Sequence, residues 1–207
     1  MKILNCLGKD FDETCFNLAS EIISDNYKPD IVIGIAKGGA KVGVKVYEYI
    51  KIGNSNVRYC DVKIQHPCTI FMKNFGIKKL FKIMPKSGLN LLRKIILYIR
   101  EFNWTYFSHN IKRIGEVKLP DNVIKYISEH NYCKILIIDD AIDSGKTISL
   151  VYDYIKSINR YSIVKCGVLN TTFRKPCFTP HYCLYDRVIL RFPWAFDAFR
   201  FKNKEEL

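Results

Sequence analysis

Three carboxylates crowd one short stretch, Ile137-Ile138-Asp139-Asp140-Ala141-Ile142-Asp143-Ser144-Gly145-Lys146-Thr147. Asp139 and Asp140 are adjacent, and like charges so close repel unless something compensates them. A magnesium ion and sugar hydroxyls would do so, because carboxylate oxygens are hard ligands and good acceptors for a ribose diol. Ser144, Gly145, Lys146 and Thr147 follow as a small-residue turn at a helix start, where backbone N–H groups and the helix dipole favour a phosphate. One loop can thus hold both the diol and the terminal phosphate of a ribose 5-phosphate. A nucleotide-binding P-loop is excluded although Gly-Lys-Thr occurs at 145–147, because that motif needs a glycine where Asp140 stands. The plain alternative is an Asp-rich turn that caps a helix and binds nothing.

The elements around this stretch are those of an α/β fold. Phe11, Cys15, Leu18, Ile22 and Ile23 mark a helix over 10–26. Ile31 to Ile35 is a short apolar run, the mark of a buried parallel strand. Lys37-Gly38-Gly39 punctuates it, and Val42, Val46, Tyr47 and Ile50 predict a helix after the turn. Further strands are expected over Val57–Ile64, Ile135–Ile138, Ile163–Leu169 and Val188–Leu190, with a helix from Thr147 onward. Strands alternating with helices imply a mostly parallel central sheet flanked by helices. Ligands of such folds sit at the carboxyl ends of the strands, where both polar turns fall.

A chain of 207 residues, 48% apolar and 26% charged, is expected to form a single domain over 1–207. Its net charge of +13 points to anionic partners. Most of that surplus lies in one place: residues 71–115 carry ten basic residues and a single acid, Glu101. The segment 70–119 therefore reads as a basic, largely helical, aromatic-rich insertion or lid, with Leu89, Leu92, Ile96 and Ile99 at helical spacing. The eight cysteines form no Cys-x-x-Cys pair, so free thiols in a reducing cytoplasm are expected. No apolar run approaches the roughly 18 residues of a membrane span. Asp186 and Asp197 read as ordinary surface acids, and the four histidines have no metal-ligand spacing.

The string from Ile137 to Thr147 resembles the ribose-phosphate-pyrophosphate signature of the type I phosphoribosyltransferases: a hydrophobic strand, two acids, two spacers, Asp, then Ser/Thr-Gly-x-Thr. Gly34-Ile35-Ala36-Lys37-Gly38-Gly39 resembles the family's first-strand loop. The resemblance implies transfer of a ribosyl group from 5-phosphoribosyl 1-pyrophosphate, with magnesium, to an acceptor. It implies that Ala36, Lys37, Gly38 and Gly39 bind the pyrophosphate, with a cis peptide at Ala36–Lys37. Asp139 and Asp140 would grip the ribose hydroxyls and the metal. Ala141, Ser144, Gly145, Lys146 and Thr147 would bind the 5-phosphate side, and Asp143 would contact or deprotonate the acceptor base.

Lys175-Pro176, followed by Phe192-Pro193-Trp194, resembles the xanthine/guanine branch of the family. That likeness implies a C-terminal segment over 175–207 that covers the acceptor, with Lys175 reaching the exocyclic oxygen of a 6-oxopurine and Phe192 and Trp194 near the base. One departure is Ile189, which stands where that branch carries a stacking aromatic. Two other readings remain open: a phosphoribosyltransferase for a non-purine, membrane-associated acceptor, and a ribose-phosphate-sensing regulator that binds nucleic acid through the basic segment. Nucleic acid is the weaker partner, since the acids at 139, 140 and 143 are intact. A cytoplasmic chain is expected, with a homodimer contact or an anionic membrane surface engaged through 70–119.

Overall fold

The structure, a computed structural model, describes residues 1–65, 84–108 and 115–201. The chain runs β1 (Lys2–Asn5), α1 (Gly8–Ser24), β2 (Ile31–Ile35), α2 (Gly38–Gly53) and β3 (Arg58–Gln65). After the first undescribed stretch come α3 (Lys86–Asn103), a π-helical turn (Trp104–Ser108) and, later, β4 (Glu116–Lys118). The rest is α4 (Asp121–Glu129), β5 (Lys134–Ile142), α5 (Lys146–Ile158), β6 (Ile163–Thr171), β7 (Tyr182–Tyr185), β8 (Val188–Arg191) and a 3-10 turn (Ala198–Arg200).

Six strands make the main sheet in the order β4-β3-β2-β5-β6-β7, parallel except for β4, which runs antiparallel to β3. Alternation along the strands sorts the core. Ile31, Ile33, Ile135 and Ile137 face α4 and α5, while Val32, Leu136 and Ile138 face α1 and α2. Helices therefore cover both faces, as parallel strands require. Gly34 sits on the α2 face, where an added Cβ would lie 2.9 Å from Ala40 Cα and 2.5 Å from the Tyr59 hydroxyl, so the glycine lets helix and strand approach closely.

The order of strands has a reversal. β2 leads through α2 to β3 on one side, whereas β5 leads through α5 to β6 on the other. The loops after β2 and β5 consequently emerge side by side at the switch point, the place where open α/β sheets bind ligands. β8 does not join the main sheet as its position in the sequence suggests. It pairs in parallel with β1, from Lys2 opposite Val188 to Asn5 opposite Arg191.

α3 lies across the carboxyl ends of β5 and β6. Glu101 accepts from the Arg187 guanidinium at 2.6 Å and from the Arg174 backbone N–H at 2.6 Å. Trp104 Nε1 donates to the Lys175 carbonyl at 2.8 Å. Asp197 corrects the sequence reading: it is fully buried, not a surface acid, and pairs with Arg93 and Arg191. Asp186 is exposed and accepts from the Thr171 hydroxyl. The expected basic and aromatic residues at 71–83 and 109–114, together with His66, lie outside the described residues.

Candidate active site

Asp139 and Asp140 close the central strand β5 against the first-strand loop. Asp139 is buried, and its Oδ1 accepts the Asp140 N–H at 2.9 Å. Asp140 Oδ1 accepts the Ala141 N–H at 3.0 Å, and its Oδ2 accepts from Trp194 Nε1 at 3.1 Å. Desolvation pushes the Asp140 carboxyl above the usual carboxylate range, outweighing the hydrogen bonds it accepts.

The glycines opposite explain how two loops come this close. A Cβ on Gly38 would fall 1.9 Å from Asp140 Oδ2, and one on Gly39 would fall 2.5 Å from Asp139 Oδ1 and 2.7 Å from its Cα. Gly38 and Gly39 begin α2, so the acid pair faces the N-terminus of that helix, where backbone N–H groups are unsatisfied. The Ala36–Lys37 peptide is cis, at the position the sequence resemblance implies, and the Lys37 side chain is exposed.

The turn after β5 has its own requirement for glycine. Gly145 has φ of 82° and caps α5, and a Cβ there would lie 2.8 Å from the Phe178 backbone nitrogen. Ser144 accepts the Cys177 N–H at its carbonyl, 2.8 Å away, which ties this turn to the loop after β6. Thr147 stands in the first turn of α5, and Lys146 holds its ammonium 4.8 Å from the centre of the Trp104 ring. The turn thus presents a helix N-terminus bounded by hydroxyls, an arrangement suited to a phosphate.

Asp143 lies beside a cavity of about 200 Å³ between β5, β6, α3 and the C-terminal segment. Its Oδ1 accepts from the Thr172 hydroxyl, and its Oδ2 meets Arg100 Nη2 at 2.6 Å. Ala141, Asn170, Ile189 and Phe192 also line this cavity. Asn170 is buried, donates through Nδ2 to the Val188 carbonyl at 2.7 Å, and leaves its Oδ1 without a hydrogen-bond partner. Arg100, Asn170 and Thr172 were missed by sequence reasoning. The polar run Asn170-Thr171-Thr172 at the end of a strand is a signal that could have found two of them; nothing local marks Arg100.

The two tail aromatics stack on each other and face different parts of the site. Phe192 faces the Asp143 cavity, whereas Trp194 sits on Asp140, stacked on Phe192 at 4.9 Å between ring centres and edge-on to Phe11 at 5.4 Å. Lys175 is not brought beside Asp143. It is exposed on a neighbouring cavity of about 770 Å³, which shares Leu97 and Ile189 with the first. Arg58, at the start of β3, lies at the opposite end of the sheet and packs over the Tyr126 ring.

Among the described residues no group of three or more acids, histidines or cysteines could enclose a metal ion. Asp139 and Asp140 nevertheless offer hard oxygen donors at one edge of the site, which suits magnesium bound partly by protein and mostly by substrate and water.

No family model matches the chain, and no curated protein matches it in sequence. Solved structures do match. A purine phosphoribosyltransferase from Pyrococcus horikoshii Ot3 is 16% identical over 94% of each chain, with a TM-score of 0.57. The Helicobacter pylori xanthine-guanine-hypoxanthine phosphoribosyltransferase is 10% identical over 96% of this chain and 97% of its own, with a TM-score of 0.55. A hypothetical protein from Neisseria gonorrhoeae with bound ppGpp is 15% identical over 96% of this chain and 93% of its own, with a TM-score of 0.53. At such identities the likeness establishes the fold, and the fold is that of the phosphoribosyltransferases.

Proposed function

We propose that the chain is a phosphoribosyltransferase that transfers the ribosyl group of 5-phosphoribosyl 1-pyrophosphate to a 6-oxopurine base. The observation that carries this reading is the packing of Asp139 and Asp140 onto Gly38 and Gly39 at the switch point of the sheet. A bare structural turn has no need of two glycines fitted so tightly to a repelling acid pair.

The roles follow from position. The N-terminus of α5, with Ser144, Gly145, Lys146 and Thr147, holds the 5-phosphate. Asp139 and Asp140 accept from the ribose hydroxyls, and the loop from Ala36 to Gly39 turns backbone N–H groups and the Lys37 cation toward the pyrophosphate. Magnesium would be held beside Asp139 and Asp140, where it would supply charge neutralisation for the leaving group. The acceptor nitrogen forms a bond to the anomeric carbon as the carbon–oxygen bond to pyrophosphate breaks, through an oxocarbenium-like state. Asp143, the residue just after β5, takes the proton released from the acceptor nitrogen.

Support for a purine comes from the activities named for the two solved phosphoribosyltransferases. Lys175, across Leu97 and Ile189 from the Asp143 cavity, would donate to an exocyclic oxygen once the base spans both cavities. Pyrophosphate release with magnesium, measured with hypoxanthine, guanine, xanthine and adenine, tests it. A 6-oxopurine is expected to be used best, because adenine presents an amino group that leaves Lys175 unpaired. Adenine as the best acceptor would remove Lys175 from its role, and no release with any purine would remove the purine.

The second reading, a non-purine acceptor, is favoured by one observation: the cation nearest Asp143 is Arg100 of the insertion, not Lys175. Pyrophosphate release in the presence of cell extract, but not of purines, selects it.

A further inference from the structure

α3 is amphipathic in the reverse of the usual sense. A helix on a globular surface turns its apolar stripe to the core and its charges to water. Here Lys86 and Lys94 stay exposed, while the other three of the five charged residues turn toward the protein and are bound: Arg93 to Asp197, Arg100, still partly open to water, to Asp143, and Glu101 to Arg187. They share that face with buried Leu89, and the same face continues to buried Trp104 just past the helix end. The opposite face holds Leu91, Ile95, Tyr98, Ile99 and Phe102, at i, i+4, i+7, i+8 and i+11, with exposures of 59%, 46%, 69%, 52% and 45%. The π-helical turn continues the surface with Tyr106 and Phe107, exposed by 68% and 71%. The inner charges fix the rotation of the helix, so the apolar stripe cannot roll inward without breaking three ion pairs.

We propose that this outward face of α3 docks on an anionic lipid bilayer. A second copy of the chain is disfavoured by charge. Lys94, Arg174 and Lys175 are exposed beside the apolar face in a chain of net charge +13, so two such faces would repel, whereas an anionic lipid surface attracts them. All three surround the cavity that Ile95, Tyr98 and Phe102 also line. No helix among the described residues is long and apolar enough to cross a membrane, so the contact lies in the interfacial plane. The docking is independent of which acceptor the site uses.

Sedimentation of the full chain with phosphatidylcholine vesicles, with and without about one-third phosphatidylglycerol, tests the proposal. Binding is expected to the anionic vesicles alone and to weaken by an order of magnitude or more as salt rises from about 50 to about 300 mM. The double variant Ile95→Glu/Ile99→Glu, on the exposed face, is expected to lose at least about tenfold in vesicle affinity. Backbone hydrogen exchange of the unaltered chain over 91–102 is expected to slow on the anionic vesicles, a readout that needs no variant. Absence of binding to anionic vesicles overturns the proposal. So does binding that the double variant leaves unchanged, or a stable dimer in free solution that the double variant dissociates.

Discussion

Arg100 of α3 places its Nη2 2.6 Å from Asp143 Oδ2, so a side chain from the basic insertion holds the acid assigned to the acceptor. The other oxygen of that carboxylate is engaged by the Thr172 hydroxyl. An acceptor N–H must therefore compete with a guanidinium for Asp143. The pair is half open to water, and such pairs contribute about 0–1 kcal/mol to stability. Arg100→Ala is accordingly expected to lower the acceptor KM several-fold while shifting the thermal midpoint little. Steady-state kinetics with melting curves check it; a raised KM would mean that Arg100 itself binds the acceptor.

Asp139 and Asp140 should be needed for turnover and not for folding. Replacing both by Asn leaves one neutral acceptor oxygen per residue, taking away the charge that grips the ribose diol and the metal and the like-charge repulsion of the empty site. Turnover with magnesium is expected to fall by at least about a thousandfold, with unchanged or slightly higher stability. Near-normal turnover of the double variant would sink the assignment of the site.

The glycines of α2 offer a paired comparison. Gly39→Ala forces a Cβ to within 2.7 Å of the Asp139 Cα, a backbone atom that cannot swing aside. It is expected to cost about 1–3 kcal/mol and most of the activity. A Cβ on Gly53, at the far end of the same helix, meets nothing within 4 Å. Gly53→Ala should leave activity intact and stabilise by up to about 1 kcal/mol. Chemical denaturation of the two variants separates steric conflict from helix propensity.

Asp197 joins α3 to the C-terminal segment. Arg93, with a side chain 12% exposed, and Arg191, 1% exposed, both depend on it. Burial raises the Asp197 carboxyl, but the bond from Arg93 and the charges of Arg93 and Arg191 win and hold it below the ordinary 3.8. A carboxyl depressed on folding contributes stability that is present above 3.8 and lost as pH falls through its lower, folded value. Asp197→Asn leaves two guanidinium groups without their anion and is expected to cost on the order of 3–5 kcal/mol at neutral pH. The loss should shrink in acid, which stability measurements from pH 2 to pH 7 would detect.

What the sequence revealed and what it hid divide along one line, the distance over which residues act. The strand ends, the glycine loop at 36–39 and the acid–glycine turn at 139–147 are local patterns, and the structure places each where parallel-strand logic puts it. The cation beside Asp143 was not legible, because Arg100 is one of ten similar basic residues in its segment and its partner lies on another element. Asp197 read as a surface acid for a related reason: Arg191 is only six positions away, but Arg93, which helps bury the pair, is 104 positions away in the chain. Lys175 was legible as part of a motif, yet the position of α3 decides which cavity it faces. The inversion of α3 escaped periodicity altogether, since a helical stripe says that a face is apolar without saying what it faces.

β1 and β8 are strands from the two ends of the chain, and Arg191 reaches Asn5 across 186 positions to join them. On a ribosome, β1 emerges before the other described elements and waits unpaired until β8 has followed. The core of the central sheet, in which single helices join β2 to β3 and β5 to β6, can close before then. The roof over the Asp143 cavity, which includes Ile189 and Leu190 of β8, thus forms after the core of the central sheet. A nascent or truncated chain lacking β8 would carry the complete acid–glycine turn under an open cavity, with the turn proposed for the sugar phosphate formed before the side proposed for the acceptor.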